Sequence, residues 1–600
     1  MRRYSWTLAI VCFLVILLAA PLLINDRYNR IALQSGAVFA ASTNSYSLSS
    51  PVRLMTGPTI DLEGGTLSVP PSRTGLARGG QMIAMLITGN GPQMTLDKAV
   101  FTADFSTREP TFSQDLRAGD VAPLVQALQR MQFDGLVVRD SSFRIKMSDG
   151  EIVELENVNA TISSKPGGAV HCAGAFDFRG EKIAFDTTLG ASLDAHGMSR
   201  PVNASFSGAP LNGTIEGSLM LGENPQLLSP QTEIASTDLR ATARWLGVHW
   251  PAGRGFGAFH AKGQLEWAER TLAFQNALVE IDENDATGTL SINFIGARPA
   301  IEGTLGFKAL NLIPYLSSAE PKAESVSLLT TVTGASGLEF PLIQAIDADL
   351  RISSDSVNLP ALTIGRSAAT VSLRGGKMLA DIAELEVDDG TRGGGQIRID
   401  MSGANPSYGV QAKFEAADIG RSVQAVFGHP TIQGRGLVTV DLTATGNTGE
   451  SLLRSLDGKM SVSLAEGGRV GLDINELAAT GNEQGGDTWQ DVSTHAIAID
   501  KLDARFIVDD GVLRTQSAEA LSGDRALKAE GTISLIEHRL DMELAVGDVT
   551  LETLDSADLP AKVGALNLKK REIINVHGPW SAPAISAGAV RDDPRQFGPR

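Results

Sequence analysis

The sequence is short of most features that announce a catalytic or nucleic-acid-binding protein. It has two cysteines in 600 residues, Cys12 and Cys172, and Cys12 lies in an apolar N-terminal segment. No intramolecular disulfide is plausible, so a location outside the cytoplasm has to be managed without covalent staples. Aromatic residues make up only 5%. Long helical periodicity is nearly missing after the N-terminus, although about a third of an ordinary globular chain is helical. Positive charge is also scarce: 51 Lys and Arg stand against 69 Asp and Glu, a net charge of -18. Proteins that wrap a polyanion concentrate Lys and Arg to displace counterions, so nucleic acid is not an expected partner.

Chemistry-bearing motifs are missing too. The histidines, His171, His196, His249, His260, His429, His495, His538 and His577, are scattered, with none at zinc-ligand spacing from another His, Cys or carboxylate. Gly253-Arg254-Gly255-Phe256-Gly257 and Gly393-Gly394-Gly395 lack the Lys-Ser/Thr ending of a phosphate loop and the strand-Gly-helix context of a dinucleotide site. Turns and bulges are their expected use. Asp388-Asp389 and Asp509-Asp510 each lie directly before a glycine, as hairpins require, and match no calcium loop. There is no Gly-x-Ser-x-Gly elbow. The expectation is a protein that is not an enzyme, with no catalytic residue, cofactor or metal.

Glycine is what the chain has in quantity, 63 residues, and it recurs in a fixed grammar. Lys459-Met460-Ser461-Val462-Ser463-Leu464 sends Met460, Val462 and Leu464 to one face of a strand and polar residues to the other. Glu466-Gly467-Gly468 turns the chain, and a short helical piece is expected near Ile474–Ala479. A second round runs through Arg505-Phe506-Ile507-Val508, Asp509-Asp510-Gly511, Val512-Leu513 and Gly531-Thr532-Ile533-Ser534-Leu535. The same alternation follows Gly213 (Ile215, Leu219, Leu221), Gly263, Gly288 (Leu290, Ile292, Phe294), Gly303, Gly395 (Ile397, Ile399, Met401) and Gly436 (Val438, Val440, Leu442). Asp-Gly pairs at Asp134, Asp149, Asp389, Asp457 and Asp510 read as hairpin turns. The spacing is irregular, so the repeat is degenerate rather than a fixed-period solenoid.

In chain order, residues 1–5 with Arg2 and Arg3 precede an uncharged stretch, 6–24, whose 19 residues would span roughly 28 Å as a helix, about the thickness of the hydrocarbon core. A retained transmembrane anchor is the expectation, because the nearest cleavage-like motif, Ala37 to Ala40, lies well beyond it. Asp120–Gln132 is predicted as a helix, followed by a meander through Leu136–Val138, Phe143–Met147 and Ile152–Leu155. Further helices are predicted at Thr237–Leu246, Leu310–Leu316, Ile419–Phe427 and Ser451–Leu456. The residues divide into a region 25–316, a linker 317–325, a second region 326–588 and a polar tail 589–600.

Several of these stretches resemble the AsmA family of envelope proteins. They are Ser451-Leu452-Leu453-Arg454-Ser455-Leu456-Asp457-Gly458, Glu466 to Asp473, Asp509-Asp510-Gly511-Val512-Leu513, Ala529 to Leu535, and Val576-His577-Gly578-Pro579-Trp580 on to Ile585. The resemblance is strongest from about Ala425 to Ile585. It implies an inner-membrane protein of a Gram-negative envelope with most of its chain in the periplasm. It also implies a long, curled β-sheet with an apolar groove and a part in moving phospholipid towards the outer membrane.

The expected fold is therefore mostly β: an N-terminal transmembrane helix, then an elongated, curled antiparallel β-sheet (a β-groove) with a few short helices. A sheet apolar on one side and lacking helices to cover it must fold onto another sheet or curl around something apolar, such as acyl chains. In that reading Ile215, Leu290, Ile292, Phe294, Ile397, Ile399, Val438, Val440, Met460, Val462 and Leu464 line a lipid groove. Its partners are phospholipid acyl chains, the inner membrane through residues 6–24, and the outer membrane or an envelope protein at the C-terminal end. The same residues would equally fill a closed sandwich core, since alternation is blind to what occupies the apolar side. A periplasmic scaffold that affects outer-membrane protein insertion without carrying lipid, and a secreted surface β-protein, stay open as alternatives.

Overall fold

A computed structural model describes residues 45–587 with breaks, the longest at 69–89, 105–131, 317–342, 471–496 and 549–568. The anchor 6–24, the linker 317–325, the helical piece near Ile474 and the tail 589–600 lie outside the described residues. So does the helix expected at Asp120–Gln132, except that Gln132–Phe133 form a short strand. Among the described residues no helix is long and apolar enough to cross a membrane. Strands dominate, joined by a few short helices. The chain divides into two compact units, Met1–Leu305 and Gly306–Arg600.

After a three-residue strand at Ser45–Ser47, unit 1 has short strands β1 (Val52–Thr56), β2 (Thr59–Glu63), β3 (Thr66–Ser68), β4 (Met94–Asp97) and β5 (Val100–Asp104). A meander of long strands follows. It comprises β6 (Leu136–Lys146), β7 (Ile152–Lys165), β8 (Ala169–Phe178), β9 (Glu181–Leu189) and β10 (Ser199–Ser207). It continues through β11 (Asn212–Met220), β12 (Gln226–Ser236), β13 (Phe259–Ala268), β14 (Thr271–Ile281) and β15 (Asn284–Asn293). From β6 to β15 each strand pairs antiparallel with the next. β4 and β5 run parallel to their neighbour β6, and the short strand Gln132–Phe133 pairs parallel with Asn90–Gly91. The sequence breaks β6 into two pieces, yet the strand is continuous. Its partner β7 absorbs the irregularity in register shifts around Val158.

Tight turns make this meander possible. Arg179-Gly180 joins β8 to β9 and Asp282-Glu283 joins β14 to β15, and all four residues have positive φ, between 50° and 82°. Two-residue loops of that kind match the right-handed twist of the strands they connect. Helix α1 (Leu239–Trp245) follows β12, starting at Asp238, whose Oδ1 accepts from the Ala241 N–H at 2.9 Å. It ends on Trp245, whose ring stands edge-on to Phe178 at 5.3 Å and whose Nε1–H donates to the Phe178 carbonyl at 2.9 Å.

Near the start of unit 2 the short strand Leu310–Asn311 is followed by helix α2 (Ile313–Leu316), which is therefore shorter than the Leu310–Leu316 expected. Pro314 is tolerated in the first turn, where a missing N–H costs no helical bond. The meander then runs through β16 (Asp347–Ser354), β17 (Ser367–Arg374), β18 (Lys377–Glu386), β19 (Arg392–Asp400) and β20 (Ser407–Asp418). Helix α3 (Ile419–Phe427), β21 (Ile432–Thr445), helix α4 (Gly449–Arg454) and β22 (Asp457–Leu464) come next. After them stand β23 (Lys501–Asp509), β24 (Val512–Ser522), β25 (Arg525–Ser534), β26 (Arg539–Asp548), β27 (Lys569–Pro579) and β28 (Ala584–Ala587). All these neighbours pair antiparallel, β22 with β23 included.

Gly375-Gly376 and Asp510-Gly511 supply the positive-φ hairpin turns of this unit. The pair Asp457-Gly458, expected to be a turn, is instead the start of β22. Gly458 is needed there because a Cβ would stand 2.1 Å from the Asp441 carbonyl oxygen of β21. Gly393-Gly394-Gly395 likewise lies inside a strand, β19, opposite a bulge in β18 between Ile382 and Leu385.

Candidate functional site

Strand register assembles the alternating residues into rows that run across each sheet. In unit 2 one row passes through twelve strands: Leu350, Val371, Ala380, Ile397, Val410, Leu442, Gly458, Val508, Leu513, Ile533, Leu540 and Gly578. Every member is apolar or glycine. The next row on the same face reads Ile352, Ala369, Ile382, Gly395, Ala412, Val440, Met460, Phe506 and Thr515. Unit 1 has its own: Leu96, Val138, Ala160, Gly174, Phe185, Phe206, Gly213, Ile234, Ala261, Val279 and Ala286. The strands of both rows belong to one large, mainly antiparallel sheet, and within each unit that sheet has a continuous apolar face, because side chains two apart in a strand share a side.

What covers these faces changes along each unit. In unit 1 the stretch up to Leu189 is a closed core: Leu62, Leu67, Leu96, Leu136, Leu155 and Ile162 are fully buried, and Phe101 stacks on Phe143 with centroids 4.4 Å apart. Beyond it, in β10 to β15, inward residues such as Ile215, Leu290 and Ile292 are only half-buried. In unit 2 a second closed core joins Leu453 of α4 to Val508, Leu513, Leu540, Val546, Ile574, Val576 and Trp580. Between β17 and β21 the apolar face is again half-covered, and Val410 in its central row is 39% exposed. In β21 the contrast is regular: Val438, Val440 and Leu442 are half-buried while Leu437, Thr439, Asp441 and Thr443 are exposed.

Helix α3 narrows this open strip from one side. Its Ile419 and Val423 pack with Ala417 and Leu464 against Phe414, Val438, Val462 and Leu502. The Asp418 carboxylate caps it, accepting from the Arg421 N–H at 3.0 Å. Helix α4 bounds the other end of β21 and carries a reciprocal Thr448/Ser451 capping box.

The residues read from sequence as groove lining divide accordingly. Ile215, Leu290, Ile292, Ile397, Ile399, Val438, Val440, Met460, Val462 and Leu464 all lie on the apolar faces, and Phe294 falls outside the described residues. Ile399 and Leu464 are buried, at 7% and 1%. Val438, Val462 and Leu464 pack on α3, and Met460 packs on the C-terminal core, so the protein's own side chains occupy part of that surface. Ile397 and Val440 remain beside Val410 on the half-covered strip. The alternation in the sequence marks Leu442 as apolar-facing, but not Val410 or Ala412. Their place depends on which residue of the next strand they face, and no single strand reports that.

The glycine loop before β13 is filled from within: the Asp282 carboxylate accepts from the successive N–H groups of Phe256 and Gly257, the latter at 2.7 Å. His171 Nδ1 lies 3.0 Å from Thr188 Oγ1, and His260 Nε2 lies 2.9 Å from Glu233. No group of three or more His, Cys, Asp or Glu is placed to hold a metal among the described residues. Asp510 sits in its turn with its N–H donating to Asp457 Oδ1 at 3.0 Å. Cys172 is buried in the unit 1 core, where loss of hydration and the nearby Asp186 push its thiol far above the ordinary range.

Residues 334–518 match the family model of the AsmA family. That stretch holds β16 to β23 and most of β24, which includes the half-covered strip. The AsmA resemblance read from the sequence is borne out over these residues. No curated protein matches the chain.

Proposed function

We propose that this chain is a β-groove protein of the Gram-negative envelope that carries phospholipid acyl chains on its apolar sheet faces, from the inner membrane towards the outer. In this reading residues 6–24 anchor it in the inner membrane, the rest stands in the periplasm, and it works without catalysis. One observation carries the proposal: the uninterrupted apolar row of unit 2 is half-exposed at its centre, at Ile397, Val410 and Leu442. A row meant only as core would be closed as it is around Leu96 and Leu136. Each methylene moved from water onto such a surface gains about 0.8 kcal/mol, with little preference for position, which suits sliding better than fixed capture. The AsmA match over residues 334–518 supports the same reading.

The scaffold reading is favoured by a different feature, the packing of α3 over Val438, Val462 and Leu464, which fills part of the face from within. Photocrosslinking separates the two. Probes at Val410 and Val440 should capture phospholipid in cells, while probes at their neighbours Gln411 and Thr439 on the opposite face should not. Equal or absent labelling would leave the scaffold.

A further inference from the structure

We infer that the half-covered strip of unit 2 is a blind slot for an acyl chain, whose methyl end stops against Met460 and Phe506. The inference rests on the lipid-carrying reading above and goes further by fixing the direction of the chain and the residues at which it ends.

Three boundaries enclose the strip. Along one side the row of Leu373, Ile399 and Ala444 is buried. Along the other, Ile419 and Val423 of α3 pack over Val438 and Val462. On β21 only Val440 and Leu442 stand between these two walls, a width of about 7 Å for two residues of strand. The third boundary lies across the rows. Val440 pairs with Met460 of β22, and Met460 pairs in turn with Phe506 of β23. Both Met460 and Phe506 pack on the C-terminal core, yet each is only half-buried and so keeps accessible surface beside the strip. One row over, Val508 and Leu513 are buried. The apolar rows therefore continue into the core, but their open surface ends at β22.

These limits decide how a lipid lies. A chain that spans half a hydrocarbon core needs about 15 Å, so a strip about 7 Å wide is too narrow for it to lie along a strand. Across the strands there is room. From β18 to β22 there are four strand spacings, roughly 19 Å at about 4.8 Å each. The polar end of a lipid would lose its hydration at the closed core, so the methyl end is the one that meets Met460 and Phe506. The ester end then falls near Ile382 of β18 and Ile397 of β19, on the open part of the face. Sliding along the row stops at β22, and the lipid leaves through the uncovered side of the strip rather than through β23 to β27.

The test uses the full chain in detergent, loaded with phosphatidylethanolamine that carries a diazirine either at the methyl end of an acyl chain or beside its ester. Irradiation and peptide mapping by mass spectrometry locate the label. The methyl-end probe should mark β22 and β23, at Met460 and Phe506, and the ester-end probe should mark β18 and β19. Met460→Phe fills the end of the slot and should shift the methyl-end label back to β21, one spacing of about 4.8 Å. Ile507→Phe, on the opposite face of β23, should leave the pattern as it is. The comparison of the two probes on the wild-type chain needs no variant to fold. Identical patterns from both probes, or a methyl-end label centred on β18 and β19, overturn the inference and leave lipid carriage standing. A Met460→Phe chain that melts and labels as the wild type does so too. No label from either probe on the wild-type chain overturns both.

Discussion

The ring of Phe414 lies across Gly393 of the adjacent strand, so closely that a methyl group built on that glycine would stand 2.5 Å from Cδ1. Phe206 does the same over Gly213 in unit 1, with Cζ at 2.5 Å. In each pair a large ring fills the space that the missing side chain leaves, on the apolar face and directly across a strand boundary. The open part of the face is thus floored by rings and glycines rather than by aliphatic chains alone.

Gly393→Ala should destabilise unit 2 by about 1–3 kcal/mol through overpacking. The added methyl also meets the Lys413 carbonyl at 2.8 Å, so pairing it with Phe414→Leu should recover only part of the loss. Urea unfolding of the three variants measures both terms, and full recovery in the pair would assign the whole effect to the ring.

Replacing Asp282 with alanine strands the two N–H groups of Phe256 and Gly257 that its carboxylate now accepts from. The expected loss is about 1–3 kcal/mol, felt first as faster hydrogen exchange at those two amides. Unchanged protection there would mean that the loop holds its shape without the carboxylate.

Asp400 illustrates a pH effect with a definite sign. The bond from Lys377, at 2.8 Å, and those from the Ser402 hydroxyl and N–H hold its carboxyl at about 2, below the ordinary value of 3.8. A depressed carboxylate contributes stability that is complete above its unfolded value and is lost as pH falls through the folded one. That window runs from 3.8 down to about 2. The pair is exposed, so the contribution is small and sensitive to salt. Carboxyl chemical shifts followed through an acid titration should give the low value, and Lys377→Ala should move it up.

Val440→Asp places a charge on the half-covered strip, whereas Thr439→Asp places it on the opposite face one residue away. The first should remove most lipid that co-purifies with the chain and the second should remove little. Equal lipid content in both variants would count against transport along this face.

Much of this arrangement was legible in the sequence because alternation fixes which side of a strand a residue takes. Val438 and Val440 against Thr439 is the plainest instance, and the α3 bounds, Ile419–Phe427, agree with the predicted helix. Turns were read less well. Asp510-Gly511 is a hairpin turn as expected, but Arg179-Gly180 and Gly375-Gly376 make equivalent turns without an Asp-Gly signal, and Asp457-Gly458 carries the signal inside a strand. Backbone approach to a neighbouring strand, which decides Gly458, is a non-local matter. The same limit hid Val410 and the covering of Leu464 by α3, since each depends on partners that only the register and the packing supply.

The unbroken sequential pairing from β6 to β15 bears on how the protein is made. Each strand finds its partner in the segment synthesised just before it, so contacts stay close in the chain and little loop entropy must be lost before a pairing is rewarded. Such a sheet lengthens one hairpin at a time in the order the polypeptide emerges, with a single growing edge in need of protection at any moment.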